Sequence, residues 1–185
     1  MLLLVTMPTL AQKSQASFGL DLALPSDFGG MGIGVSERFE RFVTNRASMS
    51  LTAGYYSFSP KDLPNSAGST LVAARVSMAP IQLGARLYFP SSKISPGAWF
   101  ITFESGVHLV NTRLISSALA VKIASESNFS FAPGLGIRIR RFDVEFRQQF
   151  ITHLSEQQQI ISNQKSSINF TTIRLAYVLY SKPQK

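Results

Sequence analysis

The chain has 185 residues, a formal net charge of +8 and no cysteine; 45% of its residues are hydrophobic and only 15% are charged. This length indicates one domain, and the lack of cysteine excludes disulfides, Cys-ligated metals and Cys nucleophiles. The basic residues are scattered singly, which argues against a nucleic-acid interface. An average soluble domain carries about 25% charged residues, so the composition suggests a surface that does not all face water.

The first residues resemble the end of a secretory signal peptide. Met1–Ala11 contains a short apolar core, and Thr9 and Ala11 are small residues placed before a cut after Ala11. A positively charged start is lacking, so we expect a signal-peptide remnant over residues 1–11 and a mature domain over residues 12–185. An ordinary buried N-terminal strand is the alternative.

The rest of the chain alternates with a period of two, and no segment has an apolar period of 3.6. No apolar run approaches the roughly 18 to 20 residues that a transmembrane helix needs. The alternating segments are 18–24, 33–39, 47–55, 79–89, 99–109, 129–139, 142–150 and 173–179. Glu37 breaks the apolar face of the second segment, and Pro133 predicts a bulge or a later start in the sixth. Most segments have about the length of a tilted membrane-spanning strand.

The two faces of these segments differ. One face is Leu, Ile, Val and Phe; the other is Gly, Ser, Thr and Ala with isolated charges. Connections near 43–46, 90–97 and 140–141 fall on one rim, and those near 25–31, 57–77, 111–127 and 152–167 fall on the other, so that shorter turns lie on one side and longer loops on the other, as in bacterial outer-membrane barrels. We therefore predict an all-β fold, an eight-stranded antiparallel up-and-down transmembrane β-barrel. A soluble β-sandwich, or a lipocalin-like ligand carrier with the apolar face inside, is the alternative.

The minor face carries most of the ionisable residues of the segments. These candidate lumen residues are Arg86, Glu104, His108, Arg138, Arg140, Asp143, Glu145, Arg147 and Arg174. Charges in a low dielectric must be paired, so we expect a polar network that fills a narrow lumen. A polar relay or a pore lining is the functional alternative. We expect no cofactor, and two histidines without cysteine argue against a zinc site.

Several segments resemble the small outer-membrane β-barrel proteins of Gram-negative bacteria, the outer membrane protein beta-barrel domain family. They are Gly32-Ile33-Gly34-Val35, Ile81-Gln82-Leu83-Gly84-Ala85-Arg86-Leu87-Tyr88-Phe89, Phe131-Ala132-Pro133-Gly134-Leu135-Gly136-Ile137, Val144-Glu145-Phe146-Arg147 and Ile173-Arg174-Leu175-Ala176-Tyr177-Val178-Leu179-Tyr180. The last is similar to the family's C-terminal assembly signal, although Ser181–Lys185 follow it. The resemblance covers Ser17–Tyr180 and implies an outer-membrane location and insertion by the barrel-assembly machinery.

The family includes adhesins, anchors, narrow pores and a few enzymes, so the resemblance implies no single activity. We expect a non-enzymatic barrel with a structural or surface-interaction role, as a monomer in contact with outer-membrane lipids and lipopolysaccharide. Lys61, Lys122 and Lys165 on the expected outer loops could attract lipopolysaccharide phosphates. The alternative is a lipid A-modifying hydrolase: His153 and Ser155 resemble the spacing of barrel deacylases, but Glu156 replaces the usual Asn.

Overall fold

The computed structural model describes residues 14–26, 30–59, 61–63, 72–89, 97–115, 120–152 and 167–181. These residues form nine antiparallel strands: β1 (Ser14–Pro25), β2 (Gly32–Phe42), β3 (Ala47–Phe58), β4 (Lys61–Leu63), β5 (Val72–Phe89), β6 (Ala98–Ile115), β7 (Ala120–Ile139), β8 (Phe142–Thr152) and β9 (Ser167–Ser181). In the part of the chain described, no helix is long and apolar enough to cross a membrane. The expected signal-peptide remnant, residues 1–11, lies outside the described residues.

Eight of these strands close into a barrel. The neighbours follow the order β3, β2, β1, β9, β8, β7, β6, β5, and β3 pairs with β5 to complete the ring; β4 is a short addition beside the start of β5. The connections after β2, β5 and β7 lie at one end together with the start of β1 and the end of β9, and we call this end the turn rim. The opposite end is the loop rim.

The two alternating faces of the strands form the inner and the outer surface of the barrel. Large apolar side chains point outward, including Leu83 at 66% and Ile33 at 68% relative exposure, whereas charged side chains such as Arg147 and Glu104 are fully buried. Leu, Ile, Val and Phe thus form an outer apolar belt, as a lipid-facing surface does. The lipocalin-like alternative is wrong, because its apolar face would line the interior. Glu37 also points outward, between Val35 and Phe39.

Three strands, β5, β6 and β7, extend well into the connections that the sequence predicts. The connections expected at 57–77 and 111–127 are partly strand: β5 begins at Val72, and β6 and β7 form one hairpin paired up to Ile115 and Ala120. A membrane-spanning strand needs only about 9 to 11 residues, so this hairpin extends beyond the belt. Polar residues on both faces hide the period of two there, because strand pairing depends on backbone hydrogen bonds and not on apolar side chains.

Pro133 is accommodated without a bulge. Its side chain is exposed, and the ladder to β8 has the same register at Phe131–Phe150 and at Gly134–Arg147, on either side of the proline. The interruption is therefore local, since proline removes one backbone donor without shifting the strand. The sequence predicts either a bulge at Pro133 or a later start of the strand, and both predictions are wrong.

Candidate functional site

The interior of the barrel is arranged in layers. An apolar cluster lies toward the loop-rim end, and we call it the loop-rim cap; its buried members are Ala23, Tyr56, Phe58, Val76, Met78, Val110, Ile151, Ile168 and Phe170. A smaller cluster of Tyr88, Ala98 and Phe100, with Phe42 packed against it, lies toward the turn-rim end, and we call it the turn-rim cap. Aromatic contacts hold both caps, such as the edge-to-face pair of Phe58 and Phe170 with ring centroids 5.5 Å apart. The sequence places Tyr56, Tyr88 and Phe100 near strand ends, but they face the lumen and belong to no outer girdle.

A charged layer lies between the caps. Among the described residues it contains five arginines, Arg38, Arg86, Arg138, Arg147 and Arg174, and five carboxylates, Asp21, Glu40, Glu104, Asp143 and Glu145, all buried. The layer is therefore formally neutral. This balance removes the cost that a net charge would carry in a low-dielectric interior.

Two arginines share one carboxylate at the centre of this layer. Glu104 accepts from Arg38 Nη2 and from Arg147 Nη1, each at 2.6 Å. Arg38 also reaches Glu145 at 2.6 Å, and Arg147 reaches Asp21 at 3.1 Å. These bonds join β1, β2, β6 and β8 across the lumen, so they cross-link walls that the backbone ladders do not connect directly.

A second group lies closer to the turn rim. Arg138 donates twice to Asp143, with both N–O distances at 2.6 Å, and this forked geometry is the strong form of the arginine–carboxylate pair. Arg86 bridges Asp143 at 3.0 Å and Glu145 at 2.5 Å. Glu40 accepts from the Tyr88 hydroxyl at 2.7 Å and also hydrogen-bonds Gln15 and Ser48. The charged layer is thus hydrogen-bonded to Tyr88 of the turn-rim cap.

Arg174 joins the layer through a hydroxyl. Its Nε donates to Ser36 Oγ at 2.8 Å, and Ser36 donates to Asp21 at 2.5 Å. Glycines make room for these long side chains. A Cβ on Gly134 would lie 2.6 Å from Arg147 Cγ, which is too close for any real side chain. Gly19, beside Arg174, and Gly84, beside Glu104, likewise leave room for side chains of the network.

Among the side chains that the structure describes, a layer of polar groups without carboxylates or arginines lies between the charged layer and the loop-rim cap. His108 Nδ1 lies 2.8 Å from Ser130 Oγ, and Gln82 donates to Ser130 and to Gln149, each at 3.2 Å. The His108 ring also meets Phe170 edge-on, with centroids 6.3 Å apart. Glu104 and His108 share a face but have separate hydrogen-bond partners, so no acid among the described residues hydrogen-bonds the histidine. No group of three metal-ligating side chains occurs among the described residues.

Eight of the nine candidate lumen residues lie inside the barrel. Arg140 does not: it is exposed in the turn after β7, with a φ of 56°. The sequence prediction extends the alternation past the end of β7, whereas in the turn the Arg140 side chain points outward. The sequence prediction also omitted Asp21, Arg38 and Glu40. Each alternates with outward apolar residues in β1 or β2, so the same parity rule would have found them.

The loop rim carries a pair of like charges on its outer face. Arg75 in β5 and Arg113 in β6 are both exposed and lie directly opposite each other in the ladder. Lys122 in β7 is the register partner of Arg113. His153, Ser155 and Lys165 lie outside the described residues, and for Lys61 and Lys122 only the backbone is described.

No family model and no curated protein sequence matches the chain. Its fold is similar to that of Ail, the attachment invasion locus protein of Yersinia pestis, at 13% identity and a TM-score of 0.52, over 90% of this chain and 97% of Ail. Ail in complex with the heparin analogue sucrose octasulfate gives 12% identity and a TM-score of 0.50, over 90% and 97% of the two chains.

A major outer membrane protein from Thermus thermophilus is similar at 11% identity and a TM-score of 0.53, over 89% of this chain and 99% of that protein. At such identities the likeness concerns the fold alone. An apolar belt around a polar interior makes this fold a membrane-spanning one. The predicted fold class is confirmed, and so is the outer-membrane location expected with it: the chain is an eight-stranded barrel of the outer-membrane type.

Proposed function

We propose that this chain is a closed outer-membrane barrel that acts through its surface and conducts nothing through its interior. The observation that carries this proposal is a layer of buried, mutually paired charges with no net charge, which lies between two apolar caps. An eight-stranded barrel is just wide enough for side chains to fill it. A filled, capped interior leaves the rims and the outer wall as the surfaces on which partners can act.

The loop rim offers a binding site for anionic groups on sugars. Arg75 and Arg113 face each other directly, and like charges in this position destabilise a ladder unless an anion lies between them. Two exposed guanidinium groups can chelate a phosphate or a sulfate through paired N–H donors. Phosphorylated sugars of the outer leaflet and sulfated glycans at another cell's surface share this chemistry. The complex of Ail with a sulfated sugar analogue is consistent with this ligand class.

The test is binding of sucrose octasulfate to the folded protein in detergent, measured by calorimetry at low and high salt. We expect salt-sensitive binding that Arg75→Gln/Arg113→Gln weakens at least about tenfold, since two charge-assisted contacts are lost. Arg41→Gln at the turn rim is the matched control and should bind like the wild type. A second titration with a phosphorylated lipid A sugar distinguishes the two sources of anion. Equal binding by the double variant would contradict the proposal.

A further inference from the structure

The turn rim carries exposed arginines, and the acids near them, Glu40 and Asp143, are buried in the lumen and paired there. Arg41 points outward near the end of β2, Arg46 lies in the turn after it, and Arg140 and Arg141 form the turn between β7 and β8; all four are exposed. Elsewhere, Glu37, Arg75 and Arg113 are exposed in the belt or toward the loop rim, and Glu126 is half-buried toward the loop rim. The exposed charged side chains described at the turn rim are therefore four arginines and no carboxylate, whereas Glu40 and Asp143 near this end are buried in the charged layer.

The sequence adds cations at the same strand ends. Lys13 directly precedes β1, Lys93 falls between β5 and β6, and Lys182 directly follows β9. Each of those strand ends lies at the turn rim. Because the charged layer of the lumen is neutral, the net charge of +8 comes from residues outside that layer.

The arginines lie on opposite sides of the ring. The β2–β3 hairpin is separated from the β7–β8 hairpin by β1 and β9 in one direction and by β5 and β6 in the other. A single partner docked against one wall would not reach both hairpins. A leaflet of lipid, which surrounds the barrel, contacts both.

The residues around these four arginines are of the types found at the depth of lipid headgroups. Phe89, Trp99, Phe142 and Tyr177 are exposed on the outer face near this rim. Arg141 Nη1 donates to the Tyr177 hydroxyl at 3.2 Å, which holds the guanidinium beside the aromatic ring. Aromatic side chains with an amphipathic tip, next to basic residues, mark the boundary between the hydrocarbon and the headgroups.

We propose that the turn rim binds the phosphates of anionic phospholipids in the periplasmic leaflet, through Arg41, Arg46, Arg140 and Arg141. Short turns face the periplasm in outer-membrane barrels, so this is the leaflet that the rim meets. Basic residues close to an anionic surface each contribute attraction that falls off within a Debye length. The rim is thus a lipid-selective collar, independent of the sugar-binding site at the other end.

The chain contains its own reporter for this site, because Trp99 is the single tryptophan and lies exposed near the turn rim. The full chain is refolded into vesicles that mix phosphatidylcholine and phosphatidylglycerol, with bromine in the upper acyl chain of one lipid or the other. Quenching of Trp99 then gives the relative association of the two lipids at this rim. We expect phosphatidylglycerol to associate about fivefold more strongly at low salt, and about equally in roughly 0.5 M salt.

The variant Arg41→Gln/Arg46→Gln/Arg140→Asn/Arg141→Gln should lose this preference. Asparagine is used at position 140 because it tolerates the positive φ found there. Two pairwise variants, of positions 41 and 46 and of positions 140 and 141, serve if the fourfold variant does not fold, and each should lose part of the preference. Arg75→Gln/Arg113→Gln is the matched control at the other rim and should leave the Trp99 result unchanged.

Equal quenching by both lipids in the wild type would overturn the proposal, as would a preference that survives in the fourfold variant. Co-sedimentation of the folded protein with isolated cell-wall sacculi tests a wall polymer as the alternative partner of this rim. Retention on sacculi through the same four arginines, without a lipid preference at Trp99, would assign the rim to a wall polymer instead. A failure of sugar binding at Arg75 and Arg113 has no effect on these readouts, so the two proposals fail separately.

Discussion

At the scale of single residues, the stability of this barrel depends on pairing inside the lumen. Arg147 is fully buried and reaches both Glu104 and Asp21. A buried ion pair is not strongly stabilising compared with an apolar pair of the same shape, but its removal on one side leaves an unpaired charge. The network is therefore tolerant of balanced changes and sensitive to unbalanced ones.

Arg147→Met should accordingly lower the free energy of unfolding by about 3 to 5 kcal/mol, because it removes the ion pair of Asp21 and leaves one uncompensated negative charge in the buried layer. Urea unfolding in detergent micelles, followed by Trp99 fluorescence, measures this change. The exposed Arg141→Met, in the turn after β7, is the matched control and should unfold like the wild type. The double variant Arg147→Met/Glu104→Gln should be less destabilised than the sum of its two single variants; strict additivity would argue against a coupled network.

At the scale of elements, the sequence predicts the strands inside the belt well and the strands outside it poorly. The period of two identifies every barrel strand, because inside a membrane one face must be apolar and the other must fit a narrow lumen. Beyond Leu109 in β6 and before Phe129 in β7, polar and apolar residues are mixed on both faces and the pattern disappears. The hairpin continues there through backbone pairing up to Ile115–Ala120, with one register shift between Thr112 and Arg113.

This extension should be separable from the barrel. Replacing residues 113–123 by Asn-Gly, directly after the Thr112–Ala124 pair, supplies a tight hairpin turn and leaves the belt intact. We expect the variant to fold, to keep its different migration on SDS gels before and after boiling, and to lose sucrose octasulfate binding with Arg113. Arg113→Gln keeps the hairpin and isolates the effect of the charge. Loss of the gel shift would mean that the extension is part of the folding unit.

The same comparison applies to the interior. Parity of side chains within a strand predicts which residues enter the lumen, and it errs only where a strand ends, as at Arg140. Parity cannot predict partners, because a contact such as Arg38 with Glu145 depends on the register of strands on opposite walls. Nor could it predict the caps: large apolar residues such as Phe58 and Phe170 point inward toward the strand ends, whereas the same face is small or polar near the middle of the barrel. These features need the closed ring and its stagger.

At the scale of the whole molecule, layers of different polarity follow one another from rim to rim. An apolar cap, a neutral polar layer, a balanced charged layer and a second apolar cap fill the described lumen. The outer surface is an apolar belt between a pair of arginines at the loop rim and four arginines at the turn rim. The chemistry available to partners is therefore cationic and lies at the two water–lipid boundaries.

The most direct test of this account is solute flux through the folded protein. Vesicles would contain increasing amounts of the barrel, with folding verified by the gel shift without boiling, and release of potassium and of a small sugar would be measured against porin-bearing and protein-free vesicles. The account predicts the leak of protein-free vesicles at every loading. A leak that rises with the amount of folded barrel would show a continuous aqueous path and contradict a filled, closed lumen.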